Sequence, residues 1–134
     1  MNSLFGLIGY PLGHSFSKRY FTEKFEQLGL QDSHAYTQFE IPSIDEFPAL
    51  LATPAIKGFN VTIPYKQQII PFLDEIDPAA ARIGAVNTIK ILPDGRTRGY
   101  NSDYFGFQGT LKAWSAFEDF KSRKALVLGQ GGAA

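Results

Sequence analysis

Short apolar runs alternate along this chain with segments of helical period, and that alternation constrains the fold more than any other feature. Residues 4–8 form an apolar run closed by Gly9-Tyr10-Pro11, which predicts a buried strand. Phe16, Tyr20, Phe21, Phe25 and Leu28 then recur at helix spacing, and Gly29 is a stop signal. Residues 35–40 alternate weakly, as a strand would. Ser43 is placed to cap a helix carrying Ile44, Phe47, Leu50 and Leu51. Residues 56–63 have high β propensity, and Pro64 opens a short helix expected to end near Pro71. Asp77 and Pro78 suit the N-cap and first turn of another helix, which Gly84 ends. Residues 85–92 and 97–101 flank Pro93-Asp94-Gly95-Arg96, a hairpin signal. Asp103 is expected to open a last helix with Phe107, Leu111, Trp114 and Phe117 on one face. The predicted fold class is α/β: a three-layer α/β/α domain with a mostly parallel sheet plus an antiparallel hairpin element.

The 134 residues suffice for one domain with a normal core. Thirteen basic and 13 acidic residues give a formal net charge of zero. No electrostatic case for nucleic acid or an anionic membrane follows from that balance. There is no cysteine, which excludes disulfides, thiol catalysis and thiolate metal sites. The two histidines, His14 and His34, lie far apart without metal-ligand spacing. His14 is read as a structural imidazole, and the Phe16/Tyr20/Phe25 stripe as core. The opening Met-Asn-Ser-Leu-Phe lacks a basic n-region and reads as the approach to a strand, so no signal peptide is expected.

Residues 125–128 are apolar and precede Gly129-Gln130-Gly131-Gly132-Ala133-Ala134. That is G-x-G-x-x-A after a strand pattern, the opening of a dinucleotide-binding fingerprint. Gly129, Gly131, Gly132 and Ala133 are its candidate cofactor-binding residues. We expect residues 1–120 to form a substrate domain, and residues 121–134 a linker with the first strand and glycine loop of a nucleotide domain. Without a sheet to join, 121–134 are expected to be mobile, swapped or docked in an unusual way.

Four polar clusters lie where strands should give way to loops, the place where open α/β sheets bind ligands. They are residues 9–17, 58–66, 84–88 and 99–103. Together they offer hydroxyls, carboxamides, one ammonium and one carboxylate, an inventory that suits a small polyhydroxy acid. Each cluster also has a plainer reading. Ser15 or Ser17 could only cap a helix, Asn60 and Asn87 could be turn residues, and Asp103 could be an N-cap. Lys66 could be a solvated surface ammonium. Its expected place in the first turn of a helix argues otherwise, because the macrodipole there disfavours positive charge. A lysine held between that field and a nearby carboxylate can give and take a proton, and Asp103 is the carboxylate available.

In order and spacing the clusters resemble the shikimate dehydrogenase family. The motifs are G-x-P-x-x-H-S-x-S, N-V-T-x-P-x-K, G-A-V-N-T, G-x-N-[TS]-D and G-x-G-G-A-A, and they cover essentially the whole chain. The resemblance implies that Ser15 and Ser17 bind the substrate carboxylate. It implies that Lys66 and Asp103 are the catalytic pair and that Asn60, Thr62 and Asn87 lie against the substrate. It further implies NADP as cofactor, reversible reduction of 3-dehydroshikimate to shikimate, a cytoplasmic setting and room for a homodimer. Alone, a chain lacking most of the NADP site is expected to be inactive. Tyr10, Lys18, Ser102 and Gln130 depart from the usual family pattern. Quinate/shikimate dehydrogenases using NAD or NADP share most of these motifs and stand as the alternative. A non-catalytic module that binds shikimate-type acids is the alternative of another class, and it would need no proton-transfer pair.

Overall fold

The computed structural model describes residues 2–120 and 122–134. Six strands form one sheet: β1 (Ser3–Gly9), β2 (His34–Glu40), β3 (Ile56–Val61), β4 (Glu75–Ile76), β5 (Thr88–Ile91) and β6 (Thr97–Tyr100). Their order across it is β2-β1-β3-β5-β6-β4. β1 pairs in parallel with β2 and β3, and β4 with β6. β5 is antiparallel to both neighbours, with Asn60 opposite Thr88 and Thr88 opposite Tyr100. Because β5 alone is reversed, its amino end lies beside the carboxyl ends of β1, β3 and β6. Four loops therefore converge on one edge of the sheet. The close passage of β3 against β5 needs Gly58, where a Cβ would stand 2.7 Å from the Ile89 carbonyl oxygen.

Period-two alternation puts apolar side chains on both faces of the central strands. On one face Phe59 meets Phe39 and Phe47 edge to face, at centroid distances of 5.5 and 5.8 Å. Ile8, Ile69, Val86 and Ile89 close this core. On the other face helix α1 (Phe16–Gln27) lays Phe21 on Tyr36 and Phe25 near Phe5. The fold is α/β, as expected, with the hairpin β5–β6 as the antiparallel element.

Several local expectations are corrected. The helix after Ser43 splits into a 3-10 turn (Ile44–Glu46) and the four-residue α2 (Phe47–Leu50). Ser43 and Glu46 form a reciprocal capping box at its start. No α-helix follows Pro64. One turn is closed by the Ile69 N–H on the Tyr65 carbonyl (2.9 Å), and a 3-10 turn (Ile70–Phe72) succeeds it. Pro71 explains this, since it cannot donate and it restricts Ile70 before it. Helix α3 (Pro78–Ile83) has Asp77 as N-cap and Gly84 in the left-handed region at its end. β4 was not expected, because two residues carry no period to read.

Helix α4 (Ser102–Ala113) is capped by Asn101, not Asp103, whose place is the first turn. Phe117 belongs to a separate short helix, α5 (Phe117–Phe120). The stripe on α1 is only half core: Phe21 and Phe25 pack on the sheet, whereas Phe16, Tyr20 and Leu28 are exposed. Phe107 and Trp114 on α4 are exposed too. His14, read as a structural imidazole, is exposed. Residues 125–128 form no strand, and Leu126 and Leu128 are 85% and 89% exposed. A strand needs a partner, and no described strand lies beside this segment. The expected boundary after residue 120 falls on position 121, outside the described residues.

Candidate functional site

One cavity at the convergent edge of the sheet, of about 510 Å³, is lined by Ser15, Ser17, Asn60, Thr62, Lys66, Asn87 and Asp103. The structure thus brings together all of the residues expected to touch substrate. They arrive on four elements that are distant in sequence, and the sheet register is what collects them. Pro11, Leu12, Phe21 and Ile63 add apolar walls.

Lys66 Nζ lies 2.7 Å from Asp103 Oδ2. The lysine side chain is 17% exposed and that of the aspartate 58%, so the pair runs from the cavity wall to its mouth. The lysine backbone is held by the Val86 N–H, which donates to its carbonyl at 2.7 Å. Because residues 64–69 are turns rather than helix, no macrodipole acts on Lys66. Its ammonium is held in place by the carboxylate partner. Asp103 sits in the first turn of α4, where a negative charge is favoured. An ammonium has three donors; Asp103 takes one, and two remain for a ligand hydroxyl.

Asn87 is 7% exposed and almost fully engaged. Its Oδ1 accepts from the Ser102 N–H at 2.9 Å and from the Thr88 hydroxyl at 3.0 Å. Its Nδ2 donates to Ser102 Oγ at 2.9 Å, which leaves one amide hydrogen for the cavity. Asn101, buried beside it, accepts from the Tyr104 N–H and donates to the Ala85 carbonyl at 3.2 Å. These bonds tie the start of α4, and Asp103 with it, to the loop before β5.

Ser15 is the N-cap of α1, its Oγ accepting from the Lys18 N–H at 3.2 Å. The capping role does not use the hydroxyl proton, so the plain reading and the ligand reading are compatible. Tyr36, which sequence reading placed only in a weak strand, reaches the same region from β2. Its hydroxyl donates to Asn60 Oδ1 at 2.9 Å. Burial pushes its pKa up to about 12, with a hydrogen bond from Ser17 acting partly against that rise. A polar tip on a strand that otherwise faces apolar rings was the available signal. Thr88 and Ser102 were missed as positioning groups because short hydroxyls leave no pattern.

The glycine run does not make a dinucleotide cradle within these residues. Such a cradle needs a strand leading into a helix N-terminus, and residues 124–134 have neither. Instead the run folds back beside Lys66: a Cβ on Gly132 would come 2.7 Å from Lys66 Cβ, and Gln67 Nε2 donates to the Gln130 carbonyl at 3.4 Å. Among the described residues no group of His, Cys, Asp or Glu could hold a metal. No described helix is long and apolar enough to cross a membrane.

Fold and cavity define a class: an α/β domain with a polar cavity at the carboxyl ends of its strands and a lysine–carboxylate pair on its wall. Residues 7–89 match the family model of the shikimate dehydrogenase substrate binding domain. The chain belongs to that family. It is 44% identical over 131 residues to the NADP(+) shikimate dehydrogenase of Halothermothrix orenii, which covers 96% of this chain and 44% of that protein. Among solved structures it is similar to shikimate dehydrogenase 1 from Peptoclostridium difficile, with a TM-score of 0.81, 42% identity and coverage of 98% of this chain and 47% of that one. It is also similar to shikimate 5-dehydrogenase from Thermus thermophilus in complex with shikimate, with a TM-score of 0.79, 36% identity and coverage of 98% and 49%. The chain thus spans about half the length of the relatives it matches.

Proposed function

We propose that this chain is the substrate-binding and proton-exchanging part of a shikimate dehydrogenase, which interconverts 3-dehydroshikimate and shikimate with NADP. The observation that carries the reading is the 2.7 Å Lys66–Asp103 pair on a cavity that Ser15, Ser17, Asn60, Thr62 and Asn87 also line. In this reading Ser15 and Ser17 donate to the ring carboxylate. Asn60, Thr62 and Asn87 orient ring hydroxyls. Lys66 exchanges a proton with the hydroxyl that becomes a ketone, and Asp103 keeps the lysine aimed at it. Residues 1–120 form the substrate domain, and 121–134 lead to a nucleotide domain in which Gly129, Gly131, Gly132 and Ala133 would serve NADP. Within this chain those four residues do not fit the cofactor, so the chemistry assigned here is that of the acid site alone.

A cytoplasmic setting belongs to the same reading, in keeping with relatives named as NADP(+) enzymes. So does a homodimer, supported by exposed Phe16, Tyr20 and Leu28 on α1 and tested by sedimentation at rising concentration.

The deciding experiment is an amide NMR titration of the chain with shikimate and then quinate. Shifts confined to the loops around Ser15, Thr62, Lys66, Asn87 and Asp103 are expected, with a dissociation constant near millimolar, about 4 kcal/mol. Tighter binding of quinate would move the assignment to the quinate/shikimate branch. A dispersed spectrum that ignores both acids would refute the acid-binding reading.

A further inference from the structure

Resting on the reading above, we propose that Tyr36 is a positioning residue of the acid site: its buried phenol fixes the Asn60 carboxamide. Tyr36 projects from the middle of β2 beneath α1 and is 6% exposed. Its ring is clamped by Phe21 in a stack at 4.8 Å and 17°. The ring therefore has little rotational freedom, and the oxygen is delivered to one place.

That oxygen has one proton and two lone pairs. The proton goes to Asn60 Oδ1 at 2.9 Å. The other end of the same amide faces the Asn87 carbonyl at 3.5 Å and Thr88 Oγ1 at 3.4 Å. A carbonyl can only accept, so nitrogen must be the atom that faces it. The Tyr36 donor completes the arrangement from the opposite side, and a flip would set the amide oxygen against the Asn87 carbonyl oxygen and leave the Tyr36 proton without its acceptor. The two bonds from Nδ2 are long. The short bond from Tyr36 is therefore the one that holds the amide, and without it the side chain can turn away from the cavity.

The phenol thus holds the amide expected to meet a ring hydroxyl.

The test is shikimate binding by NMR titration to the wild-type chain and to Tyr36→Phe, Asn60→Ala and the double variant. Tyr36→Phe keeps the ring stack and should weaken binding about fivefold to tenfold. In the Asn60→Ala background the same change should cost less than twofold, because Tyr36 then has no amide to hold. Thr97→Val is the structural control: it removes another buried hydroxyl, bonded to Asp74 at 3.1 Å outside the cavity, and should leave affinity unchanged. Unchanged binding by Tyr36→Phe, additive losses in the double variant, or an equal loss in Thr97→Val would each overturn the proposal while the acid-binding reading stands. Failure of the wild-type chain to bind would remove both.

Discussion

Lys66 and Asp103 meet across 37 positions of sequence, and what each contributes differs. The lysine is the proton carrier in our reading, and the aspartate sets its direction. Replacing Lys66 by Ala should leave the fold intact and weaken shikimate binding less than tenfold, since serines and amides remain. Turnover by a full-length shikimate dehydrogenase carrying these residues should fall on the order of a hundred- to ten-thousand-fold. Steady-state kinetics beside an affinity measurement separates the two effects, and preserved turnover would mean that another group moves the proton. Tyr36 and Tyr65 give a pH prediction. Both pKa values are raised, chiefly by burial, that of Tyr36 to about 12. The folded state thus holds these protons after the unfolded chain has lost them. Their contribution is intact below pH 10 and is lost as pH rises from 10 toward about 12. Urea midpoints across that window should fall less steeply for Tyr36→Phe than for the wild type. Equal slopes would show that Tyr36 titrates normally.

At the scale of elements, the start of α4 matters most, because it carries Asp103. The sequence G-x-N-S-D works as a unit: Asn101 caps the helix, Ser102 grips Asn87, and Asp103 reaches Lys66. Asn101→Ala removes the cap and the bond to the Ala85 carbonyl. A stability loss of about 1–2 kcal/mol is expected. Shikimate affinity should fall as well, because Asp103 loses its fixed origin. Chemical denaturation and titration of the same variant check both, and an affinity equal to wild type would show that Ser102 alone sets α4. The loop after β3 carries the opposite lesson. Pro64 is a good helix opener, and local reading stopped there. Pro71 seven positions later leaves room for only one turn, so Lys66 owes its position to the Val86 N–H and not to a helix.

At the scale of the molecule, the reversed β5 decides where the site is. With it antiparallel, the G-A-V-N-T loop joins the ends of β1, β3 and β6, and the cavity gains Asn87. The core that holds this sheet in register is centred on Phe47 and Phe59. Phe47 is fully buried although its helix is only four residues long. Phe47→Ala should cost about 3–5 kcal/mol, a large share of the 5–15 kcal/mol typical of a domain. A urea midpoint lowered by less than a quarter would show that this aromatic cluster is not the keystone. The other face is thinner: α1 covers β1 and β2 with Phe21 and Phe25 and leaves much of its own apolar surface in water.

The sequence by itself determined the α/β class, five of the six strands, the two clear caps at Ser43 and Asp77, and the residue types gathered in four loops. Those signals are local: period, turn chemistry and capping act within a few residues and survive without a partner. It did not determine β4 or the exposure of Phe16 and Tyr20, because each depends on what packs nearby. The strand expected at 125–128 did not form for the same reason, since backbone bonds of a strand are made by its neighbour. Which polar groups face one another was decided by tertiary structure alone. Tyr36 on Asn60, Ser102 on Asn87 and Lys66 on Asp103 are separated by 24, 15 and 37 positions, and only the register of a six-stranded sheet brings them within hydrogen-bond reach.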